Sequence, residues 1–272
     1  MQAYFKQKVV VITGASSGIG LALARQLHDM GACIALCARN EDKLKAAVQG
    51  LDAGRVLTAP VDVSNAAQCE AFMQQTIQRF GKIDILINNA GISMRAMFRD
   101  AELEVIRQLM DINFWGTVHC TKYALDAILA QKGVIVGVSS IAGYRGLPAR
   151  TGYSSSKFAM QGFLEALRTE CLHTGTHVMW VCPGFTASNI RNTALSKDGS
   201  AQGDTPLDEK KLMSAEECAH RILKGIARRK RTVVMTPLGK ATVLLNKLFP
   251  GFMDKMTFNH FRKEPGSPLN KH

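Results

Sequence analysis

The chain has 272 residues, which is enough for one α/β domain with a large core. Its composition, 46% hydrophobic and 21% charged, is that of a soluble globular protein. The net charge of +12 is concentrated toward the end of the chain. Such a surface suits an acidic cofactor or an anionic lipid, or is simply solvated, and no segment resembles a nucleic-acid-binding module. We therefore expect no nucleic-acid partner.

Several absences narrow the class of protein further. No run reaches the ~18 apolar residues of a membrane helix, and the opening residues lack the pattern of a secretory signal. The seven cysteines include no Cys-x-x-Cys pair, so buried reduced thiols are expected. The seven histidines form no ligand cluster, so no metal site is predicted. These features predict a cytoplasmic protein.

The first predicted strand is a β-branched run, Lys8–Ile12, that leads into a glycine-rich segment, Thr13–Gly20. A helical pattern follows over residues 21–27. A strand, a glycine turn and a helix in this order typically hold a dinucleotide pyrophosphate at the helix N-terminus, although an ordinary glycine-rich turn has the same appearance. The predicted cofactor contacts here are Gly14, Ser16, Ser17, Gly18, Ile19 and Gly20.

Strands and helices then alternate as far as residue 183. The predicted strands cover residues 8–12, 34–37, 58–61, 83–87, 133–138 and 177–181, with a last one at 232–235. Such alternation predicts an α/β fold, a three-layer doubly wound parallel sheet in a single domain over residues 1–236. The polar segment 191–213 is expected to be mobile, and a capping box at Ser214 opens the helix after it.

The end of the second predicted strand bears on the choice between NAD and NADP. An acidic residue at this place would accept hydrogen bonds from the ribose 2′-hydroxyl of NAD. Here Ala38 is followed by Arg39, whose guanidinium suits a phosphate. NADP(H) is therefore predicted as the cofactor, with Ser16, Ser17 and Asn40 as further phosphate partners. The alternative is that Arg39 merely points into solvent.

The most informative pair is Tyr153 and Lys157. The four-residue spacing on a predicted helix lets both side chains face one pocket. A nearby ammonium favours the phenolate and would lower the tyrosine pKa toward the working pH. Such a tyrosine serves as a general acid or base toward a carbonyl or alcohol oxygen. Alone the pattern is weak, because many copies are solvated helix faces.

Taken together, the motifs resemble the short-chain dehydrogenase/reductase (SDR) family over residues 5–190. Those that carry the resemblance are, in chain order, Thr13–Gly20, Asn88–Gly91, Asn113, Ser139–Ser140, Tyr153–Lys157 and Pro183–Gly184. The family implies a Rossmann-like domain, a nicotinamide cofactor and carbonyl/alcohol redox chemistry.

The resemblance also implies further cofactor contacts. The Asp62 carboxylate would meet the adenine amino group beside the Val63 backbone, whereas the residues alone equally allow Asp62 or Ser64 to cap the next helix. The segment after the fourth strand would pass close to the ribose, and the loop after the sixth would meet the nicotinamide and the pyrophosphate. The residues implied in these two segments are Asn89, Ala90, Gly91, Pro183, Gly184, Thr186 and Ser188.

The same resemblance assigns catalytic roles. Ser140, rather than the neighbouring Ser139, would hydrogen-bond the substrate oxygen. Asn113 would complete a proton relay through water to Lys157, although an Asn in a helix is often only locally satisfied. Lys157 would also hold the nicotinamide ribose. Tyr153 would transfer the proton.

Substrate specificity is expected to come from residues 93–99 and 141–151 and from the segment after Gly184. Their apolar side chains favour a hydrophobic ketone or alcohol, lipid-like or steroid-like, although core packing explains several of them equally well. This set comprises Met94, Met97, Phe98, Tyr144, Leu147 and Phe185. Alternative functions are a 3-oxoacyl-thioester reductase, a non-catalytic NADPH-binding regulator, and a basic surface-binding protein.

Residues 237–272 form an amphipathic helical extension beyond the predicted domain. Apolar residues recur at helical spacing before and after a break at Pro250–Gly251, with lysines between them. Three interpretations remain open: a flap over the substrate pocket, a contact within a homodimer or homotetramer, and a segment lying on an anionic membrane surface.

Overall fold

The computed structural model describes residues 1–186, 190–203 and 212–271. Within these ranges, parallel strands form one sheet in the order β3-β2-β1-β4-β5-β6-β7. The strands are β1 (Val9–Thr13), β2 (Cys33–Ala38), β3 (Val56–Pro60), β4 (Ile85–Asn88), β5 (Val134–Val138), β6 (His177–Cys182) and β7 (Thr232–Val234). The strand order reverses between β1 and β4, which is where ligands bind in open α/β sheets.

Helices cover both faces of this sheet. They are α1 (Gln2–Phe5), α2 (Gly18–Asp29), α3 (Glu41–Ala47), α4 (Ala66–Phe80), α5 (Leu103–Leu109), α6 (Gly116–Ala130), α7 (Thr151–Glu170), α8 (Ala215–Ala227), α9 (Pro237–Leu248) and α10 (Pro250–Arg262). The central strands β1, β2 and β5 are buried on both faces, which explains their continuous apolar runs. One core lies under α2 and α8, and the other under α4, α6 and α7.

The predicted fold class is confirmed, and the strand boundaries differ from the prediction by one or two residues. Ser214 caps α8 as predicted, because its side chain accepts a hydrogen bond from the Glu217 N–H at 3.0 Å. In the described part of the polar segment 191–213, some residues are buried and others are exposed. Leu195 in that segment is buried and forms a bridge with Met94.

The extension forms two helices that contact each other. Asn246 on α9 donates to the Tyr144 carbonyl at 2.9 Å, and Asp254 on α10 pairs with Arg145. Both contacts tie the extension to the loop that precedes α7. Much of its apolar surface remains exposed, namely Leu238, Leu244, Leu248, Phe249, Phe252, Met256 and Phe258. None of the helices in the described residues is long and apolar enough to cross a membrane.

Candidate active site

A cavity of about 560 Å³ lies at the carboxyl edge of the sheet. It collects residues from the loops after β1, β2, β3, β4, β5 and β6, which all end at this edge. Of the predicted site residues, those that line it are Gly14, Ser16, Ser17, Gly18, Ile19, Arg39, Asn40, Asp62, Val63, Asn89, Ala90, Gly91, Ser140, Tyr153, Lys157, Pro183, Gly184 and Thr186. Gly20 and Asn113 lie behind this lining, and Ser188 is outside the described residues.

The glycine turn after β1 requires glycine at two positions. Gly14 has φ +67°, and a Cβ there would lie 2.8 Å from the Ala90 Cα. A Cβ on Gly20 would lie 2.4 Å from the Gly14 carbonyl oxygen, so Gly20 supports the turn from inside α2. Asn89 holds the same turn by donating from its amide to the carbonyls of Thr13 and Gly14 at 2.9 and 3.1 Å.

The N-terminus of α2 faces this turn without a side-chain cap. Ser17 occupies the cap position in an extended conformation, and its side chain makes no capping hydrogen bond. The first N–H groups of the helix are therefore available to an anion, and the helix dipole favours negative charge there. This arrangement fits the pyrophosphate of a dinucleotide.

Two cations lie at the end of the cavity beside β2, where the sequence predicts the adenosine ribose of the cofactor; this is called the adenosine end. Arg39 is exposed immediately after β2 and lines the cavity. Asn40 caps α3 by accepting from the Lys43 N–H at 2.8 Å, so its carbonyl oxygen is already used. Lys43 also lines the cavity, although the sequence analysis missed it. Its position in the first turn of the helix that Asn40 caps was the signal that could have located it.

Asp62 adopts a local turn after β3. Its carboxylate accepts hydrogen bonds from the Ser64 N–H at 3.0 Å and from the Ser64 hydroxyl at 2.7 Å. The cap of α4 is Asn65, which accepts from the Gln68 N–H at 3.1 Å. The alternative in which Asp62 or Ser64 caps that helix is therefore wrong, and Asp62 lines the cavity beside Val63.

Tyr153 is half-buried in the first turn of α7. Burial raises the pKa of its phenol, whereas a hydrogen bond with Ser140 and the charge of Arg150 lower it by smaller amounts. The spacing of Tyr153 and Lys157 in the sequence predicts instead that the Lys157 ammonium lowers this pKa. The structure differs because burial has the larger effect and the Lys157 ammonium is directed elsewhere.

Lys157 is buried one turn further along α7. Its Nζ donates to the Val138 carbonyl at 2.9 Å and lies 5.8 Å from the centre of the Tyr153 ring. Burial lowers the pKa of Lys157 to about 8. The two side chains share the cavity as the spacing predicted.

Asn113 lies in a π-helical turn, Met110–Trp115, that connects α5 to α6. Its side chain has no exposed surface, accepts from the Ile92 N–H at 2.8 Å, and donates to the Ile92 carbonyl and the Ser156 hydroxyl. A Cβ on Gly91 would lie 3.0 Å from the Asn113 Oδ1 and 3.4 Å from the Lys157 Nζ. Asn113 and Lys157 thus approach the same point behind Gly91.

The two serines after β5 have different surroundings. Ser139 is buried and accepts a hydrogen bond from Gln161 at 2.8 Å. Ser140 is half-buried and accepts from the Ala142 N–H at 3.1 Å. Gln161, which also donates to the Ser140 carbonyl at 3.3 Å, was missed because its role depends on a contact between α7 and the β5 loop.

The far end of the cavity is more polar than expected. Met94, Leu147 and Phe185 line it, as the apolar set predicted. The other three members of that set, Met97, Phe98 and Tyr144, are not among its lining residues. Phe98 is 60% exposed, and the Tyr144 hydroxyl accepts from the Trp180 indole at 2.8 Å. Polar side chains in their place are Arg95, Arg150, Gln202 and Glu264.

A sequence model of the short chain dehydrogenase family matches residues 8–199. The chain belongs to this family. Its similarity to curated members extends over almost the whole chain. It is 35% identical over 274 residues to dehydrogenase/reductase SDR family member 7B of Bos taurus, covering 97% of this chain and 84% of that protein. It is 39% identical over 230 residues to 11-beta-hydroxysteroid dehydrogenase-like 4A of Arabidopsis thaliana, covering 83% and 75%.

Among solved structures, a short chain dehydrogenase/reductase from Burkholderia phymatum in complex with NAD has a TM-score of 0.81. The two are 26% identical, and the match covers 91% of this chain and 95% of the other. Membership of the SDR family makes this chain an oxidoreductase that binds a nicotinamide cofactor. The glycine turn and the residues Tyr153 and Lys157 lie within the matched residues, whereas the helices α9 and α10 lie beyond residue 199.

Proposed function

We propose that this chain is an NADP(H)-dependent oxidoreductase that reduces a hydrophobic ketone to an alcohol. The observation that carries the cofactor choice is the pair of cations, Arg39 and Lys43, at the adenosine end of the cavity. Ala38 occupies the place where an acidic residue would bind a ribose 2′-hydroxyl and repel a 2′-phosphate. Two cations there favour the phosphate of NADP(H).

In the proposed reaction the cofactor supplies the hydride when bound. Tyr153 donates a proton to the substrate oxygen, and its raised pKa keeps the phenol protonated at neutral pH. Ser140 hydrogen-bonds the same oxygen and stabilises the charge that develops on it. Lys157 holds the nicotinamide ribose and, with Asn113, returns a proton to Tyr153 through water.

The proposed substrate is a lipid-like or steroid-like ketone. Met94, Leu147 and Phe185 offer apolar contact at the far end of the cavity. The name of the Arabidopsis thaliana relatives refers to hydroxysteroids, which supports the same class. A 3-oxoacyl-thioester reductase and a non-catalytic NADPH-binding regulator are the alternatives.

The cofactor proposal is tested by exchanging charge at the adenosine end. Losing a charge-assisted hydrogen bond costs about 1.5–3 kcal/mol, so Arg39→Asp should raise the KM for NADPH by about 10–150-fold and that for NADH far less. Lys43→Ala should act in the same direction. Lys45→Ala is the matched control, because Lys45 lies on the same helix as Lys43 but pairs with Glu41 at 2.8 Å. Equal use of NADH and NADPH by the wild-type protein would refute the proposal.

We further propose that residues 1–236 form the catalytic domain and that the extension, residues 237–272, associates with a second copy of this chain. The support is the exposed apolar surface of α9 and α10. The proposed assembly is a homodimer or homotetramer, and the proposed location, expected from the sequence, is the cytoplasm. An anionic membrane surface is the alternative occupant, because lysines flank the same apolar residues.

A further inference from the structure

Glu264 follows α10 and is held by two arginines from elsewhere in the chain. Its side chain is 7% exposed. Arg150 donates to both carboxylate oxygens at 3.0 and 2.9 Å, and the Arg95 Nε lies 3.6 Å from one of them. Arg95 also donates to the carbonyl of Pro265. Both hydrogen bonds come from one nitrogen of Arg150, Nη2, and hydrogen bonds between charged groups are about twice as strong as those between neutral groups.

This cluster lies on the wall of the cavity that contains Tyr153. Arg95, Arg150 and Glu264 all line it, and Phe261 lines it beside them. The Arg150 guanidinium stacks 4.6 Å from the centre of the Phe261 ring. Arg150 immediately precedes α7, so the cluster borders the turn that carries Tyr153. The extension thus contributes a charged wall to the end of the cavity opposite the adenosine side.

The charges of the cluster do not balance. Two guanidinium groups face one carboxylate, and the Arg95 Nε is buried without a hydrogen-bond partner. Paired arginines with open donors recognise carboxylates well. The carboxylate that pairs with Arg95 and Arg150 is that of Glu264, a side chain of the protein itself.

We propose that Glu264 is a specificity-determining residue, which occupies the Arg95–Arg150 pair and thereby excludes substrates that carry a carboxylate at this end. The inference rests on the proposed reduction of hydrophobic ketones and deepens it, because it restricts the substrate to neutral compounds. A substrate carboxylate would have to displace Glu264 and leave that buried acid without its partners, which is costly.

The test measures binding without turnover, by calorimetry on the NADPH complex. The probes are decanoate and decan-1-ol, which share an alkyl chain and differ in charge. Glu264→Ala should tighten decanoate binding by at least about ten-fold, since charge-assisted hydrogen bonds to both arginines become available. Decan-1-ol should bind nearly as before, and adding Arg95→Gln should remove most of the gain.

Asp254→Ala is the matched control. Asp254 also pairs an acid of the extension with an arginine, Arg145, but it does not line the cavity of Tyr153. It should leave the affinity for decanoate unchanged. A chain ending at Lys263 provides a second variant that lacks Glu264, should the alanine variant fold poorly.

Unchanged decanoate affinity in both variants lacking Glu264 would overturn the inference. So would an equal change for decanoate and decan-1-ol, because that would make Glu264 only a structural clamp. A failure of the proposed function looks different, since the wild-type enzyme would then reduce no neutral ketone with NADPH whatever the binding of these probes.

Discussion

Tyr153 and Lys157 respond to the same burial in opposite directions. Burial disfavours the charged form of each group, so it raises the pKa of the phenol and lowers that of the ammonium. The protonated tyrosine suits a proton donor, and the lysine retains a charge at neutral pH that a bound ribose would stabilise. The sequence predicted both residues of the site. The direction of each pKa shift depends on the balance between burial and nearby charge, which only the folded structure shows.

Tyr153→Phe should abolish most turnover and leave NADPH affinity little changed. The ring still packs, but the proton donor is lost, and a general acid contributes about 10²–10⁴-fold to rate. Steady-state kinetics on a reduced ketone and NADPH fluorescence titration measure the two effects. Near-normal kcat in the variant would mean that another group donates the proton.

The depressed pKa of Lys157 predicts a pH-dependent stability of the cofactor-free protein. The folded-state pKa is about 8 against 10.5 when exposed. Below about pH 8 the buried ammonium opposes folding, and between about pH 8 and 10.5 the unfolded state binds the extra proton, so stability rises with pH. Compared with Lys157→Met, wild-type protein should gain free energy of unfolding across that window. Urea unfolding of both proteins over this pH range measures the difference, and a constant difference would contradict the prediction.

At the scale of elements, the strand–turn–helix unit of β1 and α2 brings glycines into contact with the loop after β4. Gly20 packs on the Gly14 carbonyl and the Asn89 side chain, so the turn and the neighbouring loop hold one another. The π-helical turn has a similar role, because it brings Asn113 to the backbone of Ile92. Cofactor geometry therefore depends on contacts between loops as well as on each loop.

Gly20→Ala should destabilise the protein and weaken NADPH binding together. The added methyl group would overlap the Gly14 carbonyl, and overpacking of this kind costs about 1–3 kcal/mol. Gly162→Ala is the matched control, since Gly162 lies inside α7 with no atom within 4 Å of its Cβ position. The free energy of unfolding of Gly162→Ala should rise by roughly 0.5–1 kcal/mol, because alanine has a higher helix propensity than glycine. Thermal unfolding and NADPH titration distinguish the two, and similar behaviour of both variants would contradict the role given to Gly20.

The elements differ in how far the sequence predicts them. The strands and the glycine turn are local patterns, so periodicity and glycine spacing located them to within a few residues. Gln161 and Glu264 were not predicted because each acts through a contact between elements that are distant in the chain. Lys43 was also missed, although its place in the first turn of the helix after β2 is a local signal. Tyr144 was assigned to the pocket as an aromatic residue in the right segment, but its hydroxyl is bound to Trp180 on β6.

At the scale of the whole molecule, the extension has two different surfaces. One side reaches the cavity through Phe261 and Glu264. The opposite apolar side is exposed, although burying it would be favourable. Of the three interpretations of this segment, the flap is supported by these cavity contacts, and the exposed side requires a separate test.

Replacing Phe249 and Phe252 together by Ser should reduce the oligomeric mass of the protein. These rings are 58% and 59% exposed, and a second copy of the chain would bury them. Phe98→Ser is the matched control, because Phe98 is 60% exposed and lies outside the extension. Analytical ultracentrifugation measures the mass of each variant.

Co-sedimentation with anionic vesicles tests the alternative, in which a membrane surface covers these helices. If the double variant keeps the wild-type mass but loses salt-sensitive binding to such vesicles, a membrane surface covers these helices instead. A chain ending at Thr236 lacks both helices, so it should show the same loss as the double variant, either of oligomeric mass or of vesicle binding.

The position of Glu264 in the chain also affects the order in which the enzyme matures. The seven strands found in the described residues all precede Thr236, whereas the wall formed by Phe261 and Glu264 is synthesised later. Chains fold progressively from the N-terminus during synthesis, so the nucleotide half of the cavity can assemble before this wall exists. Proteolytic removal of the extension would recreate that intermediate from the mature protein. Such a clipped enzyme would retain its coenzyme while losing its discrimination among substrates.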